Sequence, residues 1–122
     1  MIYLGKLIFK YGNGKTADLC QTAYNYEEQG AKIIVMNADN NKQIISKFEE
    51  TGQNLLTRKV NCIFDDNSLL EKAYCFKEDG VSEILIDNAH FLTGKNVFEL
   101  FIISKALDIN VYCYGDRLYN NN

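Results

Sequence analysis

The strongest constraint on the fold is a recurrence of short, uninterrupted apolar runs. Ile33-Ile34-Val35-Met36, Ile84-Leu85-Ile86 (ending in Asp87) and Ile109 to Tyr114 are the clearest. A strand with one wet face alternates apolar and polar residues, whereas a run that is apolar throughout is buried on both faces. Stretches of helical period lie between the runs. Lys15 to Gln29 presents Leu19, Cys20, Ala23 and Glu27 on one side with Tyr24 and Tyr26 at the shoulder, and Gly30 stops it. This alternation predicts a single α/β domain over residues 1–122. It is doubly wound, with a mostly parallel sheet of about five strands flanked by helices.

The other elements follow from local pattern. Ile2 to Tyr11 is β-branched and aromatic and predicts the first strand. Lys42 to Glu50 reads as a helix with Ile44, Ile45 and Phe48 facing inward, ended by Gly52, and Leu55 to Phe64 reads as a weaker strand. Ser68 with Glu71 makes a capping box for a helix carrying Leu69, Leu70, Ala73 and Tyr74, which Gly80 closes. Thr93 caps the last helix, where Val97, Phe98, Phe101 and Ile102 form an apolar stripe widened by Leu100 and Ile103. The apolar breadth from Val97 to Leu107 suits a helix buried within the domain, and equally a subunit interface in a homo-oligomer.

Composition excludes several function classes. The net charge is −3 and no basic block stands out, which argues against a nucleic-acid partner. No apolar run is long enough to cross a bilayer, and no signal-like segment opens the chain, so the expected location is the cytoplasm. Cys20, Cys62, Cys75 and Cys113 are scattered, with no C-x-x-C pair. That spacing predicts reduced, mostly buried thiols and no zinc.

Gly12-Asn13-Gly14-Lys15-Thr16 lies between the first strand and the first helix. Strand, glycine turn, Gly-Lys-Thr and helix is the setting of a phosphate-binding loop. Unpaired N–H groups and the positive end of the helix dipole attract an anion, the lysine adds charge, and the hydroxyl is a ligand for Mg²⁺. Asp87 ends a buried strand, where α/β sheets place their ligands, and an acid there shares the Mg²⁺ with the hydroxyl. The intact motif is G-x-x-x-x-G-K-[ST], and counting back five residues from Gly14 reaches Phe9 rather than glycine. His90 is the sole histidine and a weak candidate for a general base.

Four segments together resemble the type II thymidine kinase family, phosphate-loop enzymes that phosphorylate deoxythymidine with ATP and Mg²⁺. They are Lys6 to Gly12, Ala23 to Gly30, Ile86 to Thr93 and Val111 to Gly115, with a weaker match from Asn37 to Val81. The resemblance implies a P-loop NTPase-like fold. It also implies phosphate binding by Gly12, Asn13, Gly14, Lys15 and Thr16, and Mg²⁺ held by Thr16 and Asp87. The departures from the family are specific. Its loop is longer, with about three residues missing here. Its catalytic glutamate, next to the magnesium acid, is Asn88, which cannot take a proton. Its basic residue and proline after the second strand are Met36 and Asn37. Its C-terminal region, with a cysteine zinc site and a lasso over the thymidine base, has no counterpart before Asn122.

The resulting expectation is a degenerate thymidine-kinase-like protein without kinase activity, acting by binding or regulation through a protein partner or as an oligomer. The alternative is a small nucleotide-binding enzyme that uses ATP and Mg²⁺ to phosphorylate a nucleoside.

Overall fold

The computed structural model describes residues 4–39, 43–46, 56–62, 64 and 69–116. Element order is β1 (Leu7–Tyr11), α1 (Lys15–Glu28), β2 (Ile33–Asn37), β3 (Gln43–Ser46), β4 (Leu56–Lys59), α2 (Leu69–Glu78), β5 (Glu83–Asp87), α3 (Gly94–Ala106) and β6 (Asn110–Gly115). A single 3₁₀ turn, Ala89–Phe91, joins β5 to α3. Four strands form a parallel sheet in the order β1-β6-β5-β2, and β3 and β4 form a separate antiparallel pair. The α/β class and the parallel sheet are as the apolar runs require.

Side chains alternate across the sheet into two cores. Met36, Ile84, Ile86, Val111 and Cys113 pack on one face with Leu69 and Ala73 of α2 and Leu100 and Ile103 of α3. Ile33, Val35, Leu85 and Tyr114 pack on the other with Leu19, Cys20 and Ala23 of α1. β5 is buried at every residue, as an inner strand apolar on both faces should be. At the outer edge of β2, Asn61 accepts from Val35 N–H through Oδ1 (2.9 Å) and donates its own N–H to Val35 O (2.9 Å). A loop side chain there stands in for a further strand. β4 is tied to α1 by Arg58, whose guanidinium donates to both oxygens of Glu27 at 2.8 and 2.6 Å. That paired contact holds the Glu27 carboxyl below its ordinary range.

Three expectations need correction. The stretch read as a helix from Lys42 contains strand β3, paired with β4 in the register Gln43↔Lys59 to Ser46↔Leu56. Two adjacent β-branched residues, Ile44 and Ile45, suit an extended backbone, and cross-strand pairing outweighs a weak helical period. The strand expected over Leu55 to Phe64 is present as Leu56–Lys59, but in the antiparallel pair rather than the parallel sheet. On α3 only part of the expected apolar stripe is buried: Leu100 and Ile103 are in the core, and Phe98 and Phe101 are not. Asn96, Leu100, Ile103 and Ser104 face the sheet, while Phe98 and Phe101 are 64% and 50% exposed. α3 is apolar nearly all round, so its period alone does not select a face. Leu100 and Ile103 join the core, and Gly5 packs tightly at the end of the helix, where a Cβ would lie 2.4 Å from both Ser104 O and Ile109 O.

Other boundaries agree. Gly30 and Gly80 follow α1 and α2 with φ of 82° and 86°, the left-handed conformation that ends a helix. Thr93 caps α3 reciprocally, its hydroxyl accepting from Asn96 N–H and its N–H donating to Asn96 Oδ1. The first strand begins only at Leu7, since Leu4, Gly5 and Lys6 lie outside it, and residues 1–3 and the expected cap at Ser68 lie outside the described residues. Among the described residues, no cysteine is in a disulfide. Cys20 and Cys113 are buried, Cys62 is half-buried and Cys75 is exposed, so burial is less general than expected. Burial pushes the Cys113 thiol up to about 12, which leaves it unreactive.

Candidate functional site

The parallel strands carry their loops to one edge of the sheet, and the candidate residues gather there. β6 lies between β1 and β5. The turn after β1 therefore reaches the end of β5 across one intervening strand. Three residues, Gly12, Asn13 and Gly14, connect β1 to α1. Gly12 has φ 142° and Gly14 has φ 74°, so the turn needs glycine at both places. Gly14 occupies the cap position of α1 without a side-chain cap, which leaves the helix N-terminus to its backbone groups.

α1 then presents its first two side chains differently. Lys15 Nζ lies 3.7 Å from Asp18 Oδ2 on the same helix. The Thr16 hydroxyl donates to Asp87 Oδ2 at 3.1 Å and lies 3.3 Å from Oδ1. Asp87 is 3% exposed. Burial raises the pKa of its carboxyl. The Asn88 N–H and the Thr16 hydroxyl oppose that rise, and the charges of Asp39 and Asp116 add to it.

Asn88 follows Asp87 in the left-handed region at φ 55°. Its Nδ2 donates to Asn37 Oδ1 (2.8 Å) and to Asp39 Oδ2 (3.1 Å). His90 is turned to another partner. Its Nδ1 accepts from Asp116 N–H at 3.2 Å, and its Nε2 lies 3.7 Å from Asp116 Oδ2. Its ring tilts against Phe91.

The structure thus brings Thr16 to Asp87 and sets Gly12 to Lys15 beside them, while His90 pairs with Asp116. Sequence reading missed Asn37, Asp39 and Asp116. Asn37 ends a buried strand and Asp39 follows it by two residues, the same signal that pointed to Asp87.

The donor chemistry suits one implied group and not the other. A hydroxyl and a carboxylate 3.1 Å apart are hard oxygen donors of the kind Mg²⁺ accepts while keeping several waters. Among the described residues, no group of three or more His, Cys, Asp or Glu side chains is arranged to hold a metal. A polyphosphate needs a wrap of inward-pointing N–H groups. Here the connection has three residues, and the Gly12 N–H already donates to Gly115 O at 3.1 Å. A turn of three residues with one N–H already bonded offers a polyphosphate few inward-pointing donors. Among the described residues, no helix is long and apolar enough to cross a membrane.

Known proteins match this chain over most of its length. The family model for thymidine kinase matches residues 5–120. The thymidine kinase of Francisella tularensis subsp. holarctica is 32% identical over 124 aligned residues, covering 93% of this chain and 59% of that protein. The thymidine kinase of Streptococcus gordonii is 32% identical, covering 92% and 59%. That of Streptococcus thermophilus is 31% identical, covering 92% and 58%. The chain therefore spans about three fifths of the length of the curated relatives it matches. With the family model matching nearly its whole length, this chain belongs to the thymidine kinase family.

Proposed function

We propose that this chain is a thymidine-kinase-like protein that does not transfer phosphoryl groups and that acts by binding, as a partner or regulator. The observation that carries the reading is the three-residue connection between β1 and α1. Phosphoryl transfer rests on positioning and charge neutralisation, and a loop this short supplies little of either to a polyphosphate. The surroundings work in the same direction. Lys15 is paired with Asp18, and Asp39 and Asp116 lie near enough to Asp87 to raise its pKa. An incoming triphosphate thus meets more carboxylates than ammonium groups.

Asn88 supports the same reading. It stands at the position that the family resemblance assigns to the base, and its amide is held by Asn37 and Asp39. Loss of a positioned base alone costs about 10²–10⁴ in rate. Purified protein is therefore expected to give no thymidine monophosphate above background from thymidine and Mg·ATP. Turnover abolished by Lys15→Ala would overturn the reading.

One observation favours a second reading, an ATP-dependent enzyme acting on a nucleoside. The Thr16–Asp87 pair has the geometry of a Mg²⁺ corner. In that case nucleotide binding persists through Lys15, Thr16 and Asp87, and the same assay distinguishes the two.

A further inference from the structure

The ends of β2 and β5 lie side by side at the site, with Asn37 in register with Asp87. The two exits are bonded to each other. The Ala38 N–H donates to Asp87 O at 3.0 Å, and Asn37 Oδ1 accepts from the Asp39 N–H at 3.3 Å as well as from Asn88 Nδ2. Asn37 is 2% exposed. Asn88 touches both sides of this junction. Its backbone N–H donates to the Asp87 carboxyl, and its side-chain amide donates to Asn37 and Asp39.

Resting on the reading that the site does not transfer phosphoryl groups, we infer that Asn88 is a positioning residue. It is a strap that ties the Ala38–Asp39 turn to the end of β5 and holds the Asp39 and Asp87 carboxylates side by side. The amide brings two N–H donors to two oxygen acceptors. A glutamate or aspartate brings none, and it sets a further negative charge among Asp39, Asp87 and Asp116. Lys15, which opens α1 at this edge, is already paired with Asp18, and His90 faces Asp116. The backbone at φ 55° is a second reason, because asparagine and glycine adopt it more readily than longer side chains. Restoring an acid at position 88 therefore breaks the strap before it supplies a base.

The test is amide hydrogen exchange on the full chain. Asn88→Gly keeps the backbone conformation and removes the side-chain donor. It is expected to speed exchange at Ala38 and Asp39 about tenfold, the loss of roughly one hydrogen bond's worth of local protection, with Val35 and Leu85 unchanged. Asn88→Asp and Asn88→Glu are expected to do at least as much. Asp39→Asn combined with Asn88→Asp returns an amide opposite a carboxylate and is expected to exchange more slowly at these positions than Asn88→Asp alone. A merely global loss of stability would move Val35 and Leu85 together with Ala38 and Asp39. Exchange in Asn88→Gly within about twofold of wild type, or no recovery in the swapped pair, overturns the strap. Phosphoryl transfer by the wild-type chain overturns the inactivity reading and leaves these exchange results standing.

Discussion

Gly5 gives the sharpest test of the packing that carries the site. A Cβ there would lie 2.4 Å from Ser104 O, 2.4 Å from Ile109 O and 2.8 Å from Ile109 C. All three are backbone atoms, so no side-chain rotation relieves the overlap. Relief requires separating the start of β1 from the corner between α3 and β6. That corner is held by Lys6 N–H to Asn110 Oδ1 (3.0 Å), Val111 N–H to Lys6 O (2.8 Å) and Lys105 Nζ to Gly5 O (2.8 Å). Overpacking costs about 1–3 kcal/mol, and weakening one or two of these bonds adds roughly 1 kcal/mol each. Gly5→Ala should therefore lose about 2–4 kcal/mol, a fall in Tm on the order of 10 °C for a domain of this size. Gly94→Ala is the matched control. Gly94 opens α3 with nothing within 4 Å of the added Cβ, so alanine is expected to leave Tm unchanged or slightly higher. The assay is a circular-dichroism melt of the three proteins under one buffer. A Gly5→Ala protein melting within about 2 °C of wild type would refute the packing described for this corner.

Other outcomes follow from the same contacts. Glu83 is buried at the start of β5, with Oε1 accepting from Asn110 Nδ2 at 3.3 Å and Oε2 without a hydrogen-bond partner. Burial raises its pKa, so the folded state holds the proton more tightly than the unfolded state does. The stability from this group is present in full below the unfolded value and is lost as pH rises through the folded one. Glu83→Gln should then stabilise the chain at pH 7 by about 1 kcal/mol and flatten its melting profile between pH 4 and 7, and an unchanged profile would contradict this. On α3, Leu100→Ala should cost about 2–5 kcal/mol, whereas Phe98→Ala should cost less than about 1 kcal/mol. Equal losses would mean that the buried face of α3 is misplaced. Thr16→Val removes a hydrogen bond to a buried carboxyl, and urea titration should show a loss of about 1–3 kcal/mol.

Much of this was legible from the residues. β2, β5 and β6 were evident because a parallel strand covered on both faces of its sheet has no wet face, and that leaves an unbroken apolar run. α1 was evident because Leu19, Cys20 and Ala23 recur at helical spacing, and all three are buried. β3 was not legible. Gln43 to Ser46 is too short to show a period, and its strand character comes from pairing with β4. The buried face of α3 is set by what packs on it across the sheet, which the helix's nearly all-round apolar pattern does not show. At the site, Gly12 to Thr16 and Asp87 stood out because glycine, lysine, a hydroxyl and an acid at strand ends carry a known chemistry. The roles of Asn37, Asp39 and Asn88 did not stand out. They depend on which strand ends are neighbours, and the β2–β5 pairing emerges only when the sheet is assembled.

We propose that the three-residue turn between β1 and α1 is too short to hold a polyphosphate, and melting with and without saturating Mg·ATP tests that most directly. Ligand at about 100 times its Kd stabilises a protein by roughly 2.7 kcal/mol, which for this domain is a rise on the order of 10 °C. The expected result is a cooperative melt whose Tm moves by less than about 1 °C, with the Lys15→Ala protein behaving identically. A rise of several degrees that disappears in Lys15→Ala would show that the short turn holds nucleotide, and would contradict the account.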